Sequence, residues 1–226
     1  MATPHIGCCG FSYRHWSGGV FYPDGLSQRK WLEHYCTCFN TVELNNTFYR
    51  LPPEKSFEGW RKRTPNMFRF AVKGSRLITH IRRLHECADL VKEFMGRVKI
   101  LEEKLGVVLW QLSPGFWADI ALLRRFTETL KKTGFPRHAF EFRHPSWLSP
   151  EVEAVLREFG YALVAADSRS CTVEQAGGGG DFVYFRRHGP GGRYNACYSE
   201  TSLKEDACRI QEWLVALVLW MRHRMV

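Results

Sequence analysis

Six times along this chain of 226 residues, a short apolar run closes on ionisable or amide side chains. The runs are Thr41-Val42-Glu43-Leu44-Asn45-Asn46, Phe70-Ala71-Val72-Lys73, Val107-Val108-Leu109-Trp110-Gln111, Ala139-Phe140-Glu141-Phe142-Arg143, Leu163-Val164-Ala165-Ala166-Asp167 and Val183-Tyr184-Phe185-Arg186-Arg187-His188. Between them lie one-sided helical patterns, such as Leu90, Val91, Phe94, Val98 and Leu101, or Ile120, Leu123, Phe126 and Leu130. Such alternation predicts parallel strands with helical crossovers, an α/β fold whose strands deliver polar ends to one place. The expected order is strand 5–11, helix 28–39, strand 41–46, helix 56–63, strand 68–73, helix 88–102, strand 106–112, helix 120–133, strand 137–143, helix 151–159, strand 161–167, strand 182–188 and helix 203–219. Gly134 and Gly160 are placed to end their helices in left-handed turns. Gly177 to Gly180 reads as a flexible loop, since no Gly-Lys-Ser/Thr follows to make a phosphate cradle.

Seven strands in this order fit an incomplete (β/α)₈ barrel better than an open sheet, although spacing by itself leaves both open. With 45% hydrophobic and 14% aromatic residues the chain can bury one substantial core, and residues 1–226 read as a single domain. Met1-Ala2-Thr3-Pro4-His5 has no basic stretch leading into an apolar run, so the expected location is cytoplasmic. The apolar stretch Trp213 to Met221 falls far short of the roughly 20 residues that cross a bilayer, and no membrane partner is expected. The eight cysteines show no C-x-x-C or repeated zinc-ligand spacing and read mostly as reduced apolar fillers. A net charge of +9 favours phosphate-bearing ligands or nucleic acid, against the plainer reading of basic residues dispersed over the surface.

Residues two apart on a strand share a face, so Glu43 and Asn45 point together, as do Glu141 and Arg143, and Arg186 and His188. At the carboxyl ends of barrel strands this is where an active site is built. Glu43 and Glu141 are the acid/base or metal-ligand candidates, a divalent metal being the candidate cofactor, with an internal ion pair to Lys73 or Arg143 as the structural alternative. Asp167 is a third carboxylate, or a loop cap. Lys73 could carry a Schiff base or bind an anion, with pairing to Glu43 as the bland reading. His80 and His188 could shuttle protons or ligate a metal, His188 being the better placed, and His144 is weaker because it can point away from Glu141 and Arg143. Asn45, Tyr49, Gln111 and Tyr184 complete the expected ligand-binding set. Aromatics including Phe11, Tyr13, Trp16, Phe21, Tyr22, Phe48 and Trp147 could stack on bases or plug the barrel end.

Several segments together resemble the YecE-like family, a domain of unknown function: Gly10-Phe11-Ser12-Tyr13-x-x-Trp16-x-Gly18, Phe21-Tyr22-Pro23, Val42 through Arg50, Phe70 through Lys73, Thr79-His80, Gln111-Leu112-Ser113-Pro114, Glu141-Phe142-Arg143-His144-Pro145-Ser146-Trp147 and Tyr184-x-Arg186-x-His188-Gly189. The resemblance covers roughly residues 6 to 215. It implies a TIM-type barrel and no proven reaction; similarity to barrel endonucleases suggests a nucleic-acid or phosphoester link. The chain departs from the family pattern at its end, where Leu217 to Arg224 replaces a final strand with a Phe-Asn-Asn-like motif, so the last barrel strand is expected to be missing or altered. An open barrel edge would call for a partner strand or an oligomer. Arg187, where the family usually carries Leu, is expected to face outward. Two functions follow as expectations. One is a hydrolase of a phosphate-bearing or nucleic-acid ligand with Glu43, Glu141 and His188 catalytic; the other is a non-catalytic nucleotide, nucleic-acid or anion-binding protein.

Overall fold

The computed structural model describes residues 4–192 and 197–223, with side chains described as far as residue 213. Met1 to Thr3, and Arg224 in the altered C-terminal segment, lie outside the described residues. The chain forms two compact units: one runs through Ile78 and takes in Cys87–Leu109, and the other comprises Thr79–Glu86 and the chain from Trp110 onward.

In the first unit, helix α1 (Trp31–Cys38) leads into strand β1 (Thr41–Leu44), a helical turn α2 (Asn46–Tyr49), helix α3 (Glu54–Lys62), strand β2 (Arg69–Lys73), helix α4 (Ala88–Val98) and strand β3 (Leu105–Gln111), which belongs to this unit as far as Leu109. β1 pairs in parallel with β2, and β2 with β3, with a register shift between Phe70 and Ala71. The crossover helices thus lie where the 3.6-residue periodicity put them, because α3 and α4 bury Phe57 and the stripe Val91, Phe94, Met95 and Val98. Two boundaries differ from expectation. Residues 5–11 form no strand: the N–H of Ile6 donates to Asn40 Oδ1 (2.8 Å) and that of Cys8 to the Tyr35 hydroxyl (2.7 Å), so side chains take the donors that a ladder would use. The helix predicted over 88–102 stops at Val98 and tightens into a 3₁₀ segment, Lys99–Lys104, with Glu102 at φ 49°.

In the second unit, helix α5 (Ile120–Lys131) is followed by strand β4 (His138–Glu141), helix α6 (Pro150–Phe159), strands β5 (Ala162–Leu163), β6 (Ala165–Ser168), β7 (Cys171–Val173), β8 (Gly177–Gly178) and β9 (Phe185–Arg186), and helix α7 (Glu200–His223). The strand predicted over 161–167 divides at Val164: its N–H donates to Phe140 O and that of Ala165 to Tyr184 O, so the chain passes from β4, paired in parallel with β5, to β9, paired in parallel with β6. β6 also folds back on β7 in an antiparallel hairpin. The predicted strand 182–188 is reduced to two residues. Asp119 and Ser149 side chains cap α5 and α6, and Gly160 (φ 71°) closes α6 as its position in the sequence requires.

The glycine run is not the flexible loop its composition suggests. Gly177 and Gly178 form β8, antiparallel to β5, and Gly178 has φ 87° with Tyr161 O 2.2 Å from where a Cβ would stand. Gly134, at φ 72°, has open space around the same position. Gly134→Ala should therefore cost about 1–2 kcal/mol, the left-handed penalty alone. Gly178→Ala, which adds the collision, should cost about 3 kcal/mol or more, read from urea unfolding midpoints of both variants.

Candidate functional site

β4 is buried on both faces, and its period of two sorts the side chains. His138, Phe140 and Phe142 point one way into an aromatic layer: Trp110 Nε1 donates to His138 Nδ1 (3.1 Å), Phe140 lies against Phe126 and Tyr161, and Phe142 stacks on Trp147 at 4.9 Å and 4°. Trp147 is therefore core. Glu141 and Arg143 point the other way, as their spacing predicted.

Glu141 is fully buried, and a carboxylate there requires opposite charge in contact with it. Arg143 contacts its Oε1 and Arg186 its Oε2. The internal ion pair foreseen as the structural alternative for Glu141 is thus present, doubled by an arginine 45 residues away in the sequence. Both guanidiniums also reach one imidazole nitrogen: Arg143 Nη2 lies 3.0 Å and Arg186 Nη1 3.1 Å from His188 Nε2. Since a guanidinium only donates, Nε2 is the accepting nitrogen, and the proton belongs on Nδ1, which lies 3.4 Å from Asp167 Oδ1. Asp167 also accepts the backbone N–H of His188 (2.7 Å) and the hydroxyl of Tyr198. Burial, and next the charge of Arg186, hold the His188 pKa below its ordinary 6.5, against the opposing pull of Glu141 and Asp167. His188 is neutral.

The periphery contains residues that the sequence did not single out. Arg143 donates to the Ser168 hydroxyl, which lies 3.0 Å from that of the exposed Ser170. Arg187 does not face outward without partners: its Nε donates to Asp206 Oδ2 (2.7 Å), its Nη2 binds the other oxygen, and its guanidinium lies over Phe185 (4.7 Å) and Tyr198 (5.2 Å). Only a carboxylate on the inner face of α7, spaced at Asp206, hinted at this pair.

Of the expected site residues, Glu141, Arg143, Asp167, Arg186 and His188 come together in this unit. Gln111 is half-buried at the end of β3, and the next residue, Leu112, donates its N–H to Glu141 O (2.9 Å). Tyr184 is half-buried in the segment entering β9, and His80 Nδ1 lies 2.9 Å from the Thr79 hydroxyl. Glu43, Asn45, Tyr49 and Lys73 belong to the first unit. There Glu43 is 6% exposed and its N–H donates to Cys8 O, Asn45 Nδ2 donates to Cys9 O (3.1 Å), and Lys73 Nζ sits 4.3 Å from the centre of the Phe48 ring. Tyr49 is 73% exposed, edge-on to Phe48. Tyr22 and Tyr35 are fully buried packing aromatics. None of the eight cysteines is in a disulfide, and Cys38, Cys197 and Cys208 are exposed and so are not apolar fillers.

The donor set of the cluster does not fit a divalent metal. Both oxygens of Glu141 face guanidinium groups, as does Nε2 of His188, and among the described residues no group of three or more His, Cys, Asp and Glu side chains is arranged to hold one. Nor, among the described residues, is any helix long and apolar enough to cross a membrane.

A mixed α/β protein with parallel strands and a buried arginine–carboxylate–histidine cluster is the class these features define. The family model described as "Protein of unknown function DUF72" matches residues 5–224, and the chain belongs to that family. It is 34% identical over 144 residues to the UPF0759 protein YecE of Escherichia coli K12, covering 61% of this chain and 52% of that protein. It is 33% identical over 138 residues to the UPF0759 protein YunF of Bacillus subtilis 168, covering 57% and 48%. The matches thus span about half the length of these curated relatives. A DUF72 family crystal structure from Thermotoga maritima superposes with a TM-score of 0.77 at 29% identity, over 92% of this chain and 86% of that one. A second, from Enterococcus faecalis V583, shares the fold at 22% identity and a TM-score of 0.68, over 80% of each chain.

Two measurements test the cluster. Glu141→Gln leaves two buried guanidiniums without their carboxylate and should lower the unfolding free energy by about 3–5 kcal/mol in denaturant titrations. The second concerns pH: unfolded His188 takes up a proton near its ordinary 6.5 while the folded residue does not, so the unfolded state binds more protons below that value. Stability from this group is complete above pH 6.5 and is lost as pH falls toward the lower folded pKa. His188→Gln keeps an acceptor for the arginines, and should show a smaller drop in melting temperature between pH 7.5 and 5.5 than the parent.

Proposed function

We propose that the second unit binds a phosphate-bearing anion at the carboxyl ends of β4, β6 and β9. One observation carries this: Arg143 and Arg186, 8% and 6% exposed, converge on the single carboxylate Glu141 and on the same imidazole nitrogen of His188, so two forks of N–H donors stand side by side. Buried guanidinium pairs offer fork geometry that matches phosphate oxygens. The buried Ser168 hydroxyl, which accepts from Arg143, lies 3.0 Å from that of the exposed Ser170, so hydroxyls extend from the guanidinium toward the surface. The position, at strand carboxyl ends, is where ligands settle in α/β folds. The TIM-type barrel that the family resemblance implies belongs to this proposal, supported within each unit by parallel strand pairs joined through helices. So does a cytoplasmic location, supported by exposed cysteines that remain unbridged.

A second reading, phosphoester hydrolysis, is favoured by the contact of His188 with Asp167. That contact orients the ring in the manner of a base and its positioning carboxylate. An arriving phosphate that draws the guanidiniums onto its own oxygens would free His188 Nε2 to take a proton from water. A nucleic-acid ligand is one form of the same chemistry.

Equilibrium titration with inorganic phosphate and pyrophosphate tests the anion site. Arg186→Gln, checked for folding by circular dichroism, should weaken binding about 10-fold or more, the loss expected of a charge-assisted bond. Equal affinity in parent and variant would remove the proposal. For the second reading, a panel of phosphomonoesters and phosphodiesters should show turnover that disappears in His188→Gln while phosphate binding persists. Binding without turnover across the panel would leave a non-catalytic binding protein.

A further inference from the structure

Among the described residues, two buried polar atoms at the carboxyl ends of β3 and β4 have no hydrogen-bond partner: the hydroxyl oxygen of Ser113 and Nε of Arg143. Arg143 is 8% exposed, and its other two nitrogens are occupied by Ser168, Glu141 and His188. A buried donor left unmet is costly, and folded proteins keep few of them without a reason.

The two atoms sit on one face of the sheet. Trp110 is fully buried and points to the aromatic layer, where its Nε1 donates to His138. Alternation along the extended chain turns Gln111 to the opposite side, that of Glu141 and Arg143; it returns the fully buried Leu112 to the aromatic side and brings Ser113 back to the ionic one. Pro114 keeps Ser113 extended, since the residue before a proline is held out of the helical region. β3 and β4 are neighbours in the sheet, and the Leu112 N–H donates to Glu141 O (2.9 Å). In a parallel ladder the donor stands level with the residue after that carbonyl, which is Phe142. Gln111 therefore stands beside Glu141 and Ser113 beside Arg143, on backbones about 4.8 Å apart.

Ser113 is also held in place. It opens a turn closed by the Phe116 N–H on its carbonyl (3.1 Å), and the Phe116 carbonyl accepts from Trp147 Nε1 (2.6 Å) in the segment after β4. Gln111 and Ser113 are both half-buried, so this edge of the cluster is open to solvent while the Ser113 hydroxyl is turned inward.

We propose that Ser113 and Gln111 are further binding residues of this unit, donating to phosphate oxygens alongside Arg143. The inference rests on the anion-binding reading above and extends that site to the end of β3, so that the phosphate meets neutral donors as well as the two guanidiniums. A hydroxyl that served packing alone would have its partner within the folded chain.

The test titrates the full chain with inorganic phosphate in the parent, Ser113→Ala, Gln111→Ala and Arg186→Gln, and measures the urea unfolding midpoint of each. Ser113→Ala should weaken phosphate about 10-fold or more, the loss expected of a hydrogen bond to a charged group, and Gln111→Ala should weaken it in the same direction. The unfolding midpoint of Ser113→Ala should equal or exceed that of the parent, because no hydrogen bond within the folded chain is lost and a buried polar group is removed. Phosphate binding that Arg186→Gln weakens and neither β3 variant alters would overturn the inference and leave the anion site standing. A lowered midpoint in Ser113→Ala with phosphate affinity unchanged would make the hydroxyl structural and overturn it as well. A parent that binds no phosphate removes the anion reading and this inference together.

Discussion

The second unit depends on keeping one carboxylate charged without water. Glu141 has no solvent contact, and its ionised form is tolerable only because two guanidiniums reach it. Arg143 is two residues along the same strand, so local geometry suffices for that contact. Arg186 comes from a two-residue strand with little ladder of its own, and the ion pair and its parallel register with β6 together fix where that segment runs. From this the rest follows in order. The two guanidiniums dictate which nitrogen of His188 accepts, that choice puts the proton toward Asp167, and Asp167 then takes the Tyr198 hydroxyl.

The opposite face of β4 explains why the cluster is buried. His138, Phe140 and Phe142 present rings to Trp110, Phe126, Tyr161 and Trp147, close-packed behind the strand that carries Glu141. One strand thus separates an aromatic layer from an ionic one. In such a medium a charge-assisted hydrogen bond is strong and an unpaired charge is costly, and the same property that stabilises the cluster would make it selective for an anion of matching shape. Likeness to DUF72 structures supports the fold; the chemistry is argued from the site alone, since one fold hosts many functions.

Much of the scaffold was legible from periodicity. The helical stripes, the strand cores at β1 to β4 and the helix-ending glycine at position 160 lie where a reader of the sequence would put them, because each reflects one-sided burial or a left-handed backbone within a few residues. Where partners decide, the reading slipped. Residues 5–11 look like a strand but spend their donors on Asn40 and Tyr35, the 161–167 run splits at Val164 as it changes neighbours, and four glycines that look like slack chain include the strand β8.

Sequence alone determined that Glu141 and Arg143 would share a face, and that Arg186 and His188 would share another, because strand geometry alternates with period two. It also determined the α/β class, through the alternation of the two periods. Only tertiary structure decided that those two pairs meet, that His188 is neutral with its proton toward Asp167, and that Arg187 turns to Asp206. The reason is physical: a side chain's charge state and partner are set by what lies within a few ångströms of it, and beyond the neighbours two residues away those groups come from residues about 20 to 45 positions away in the chain.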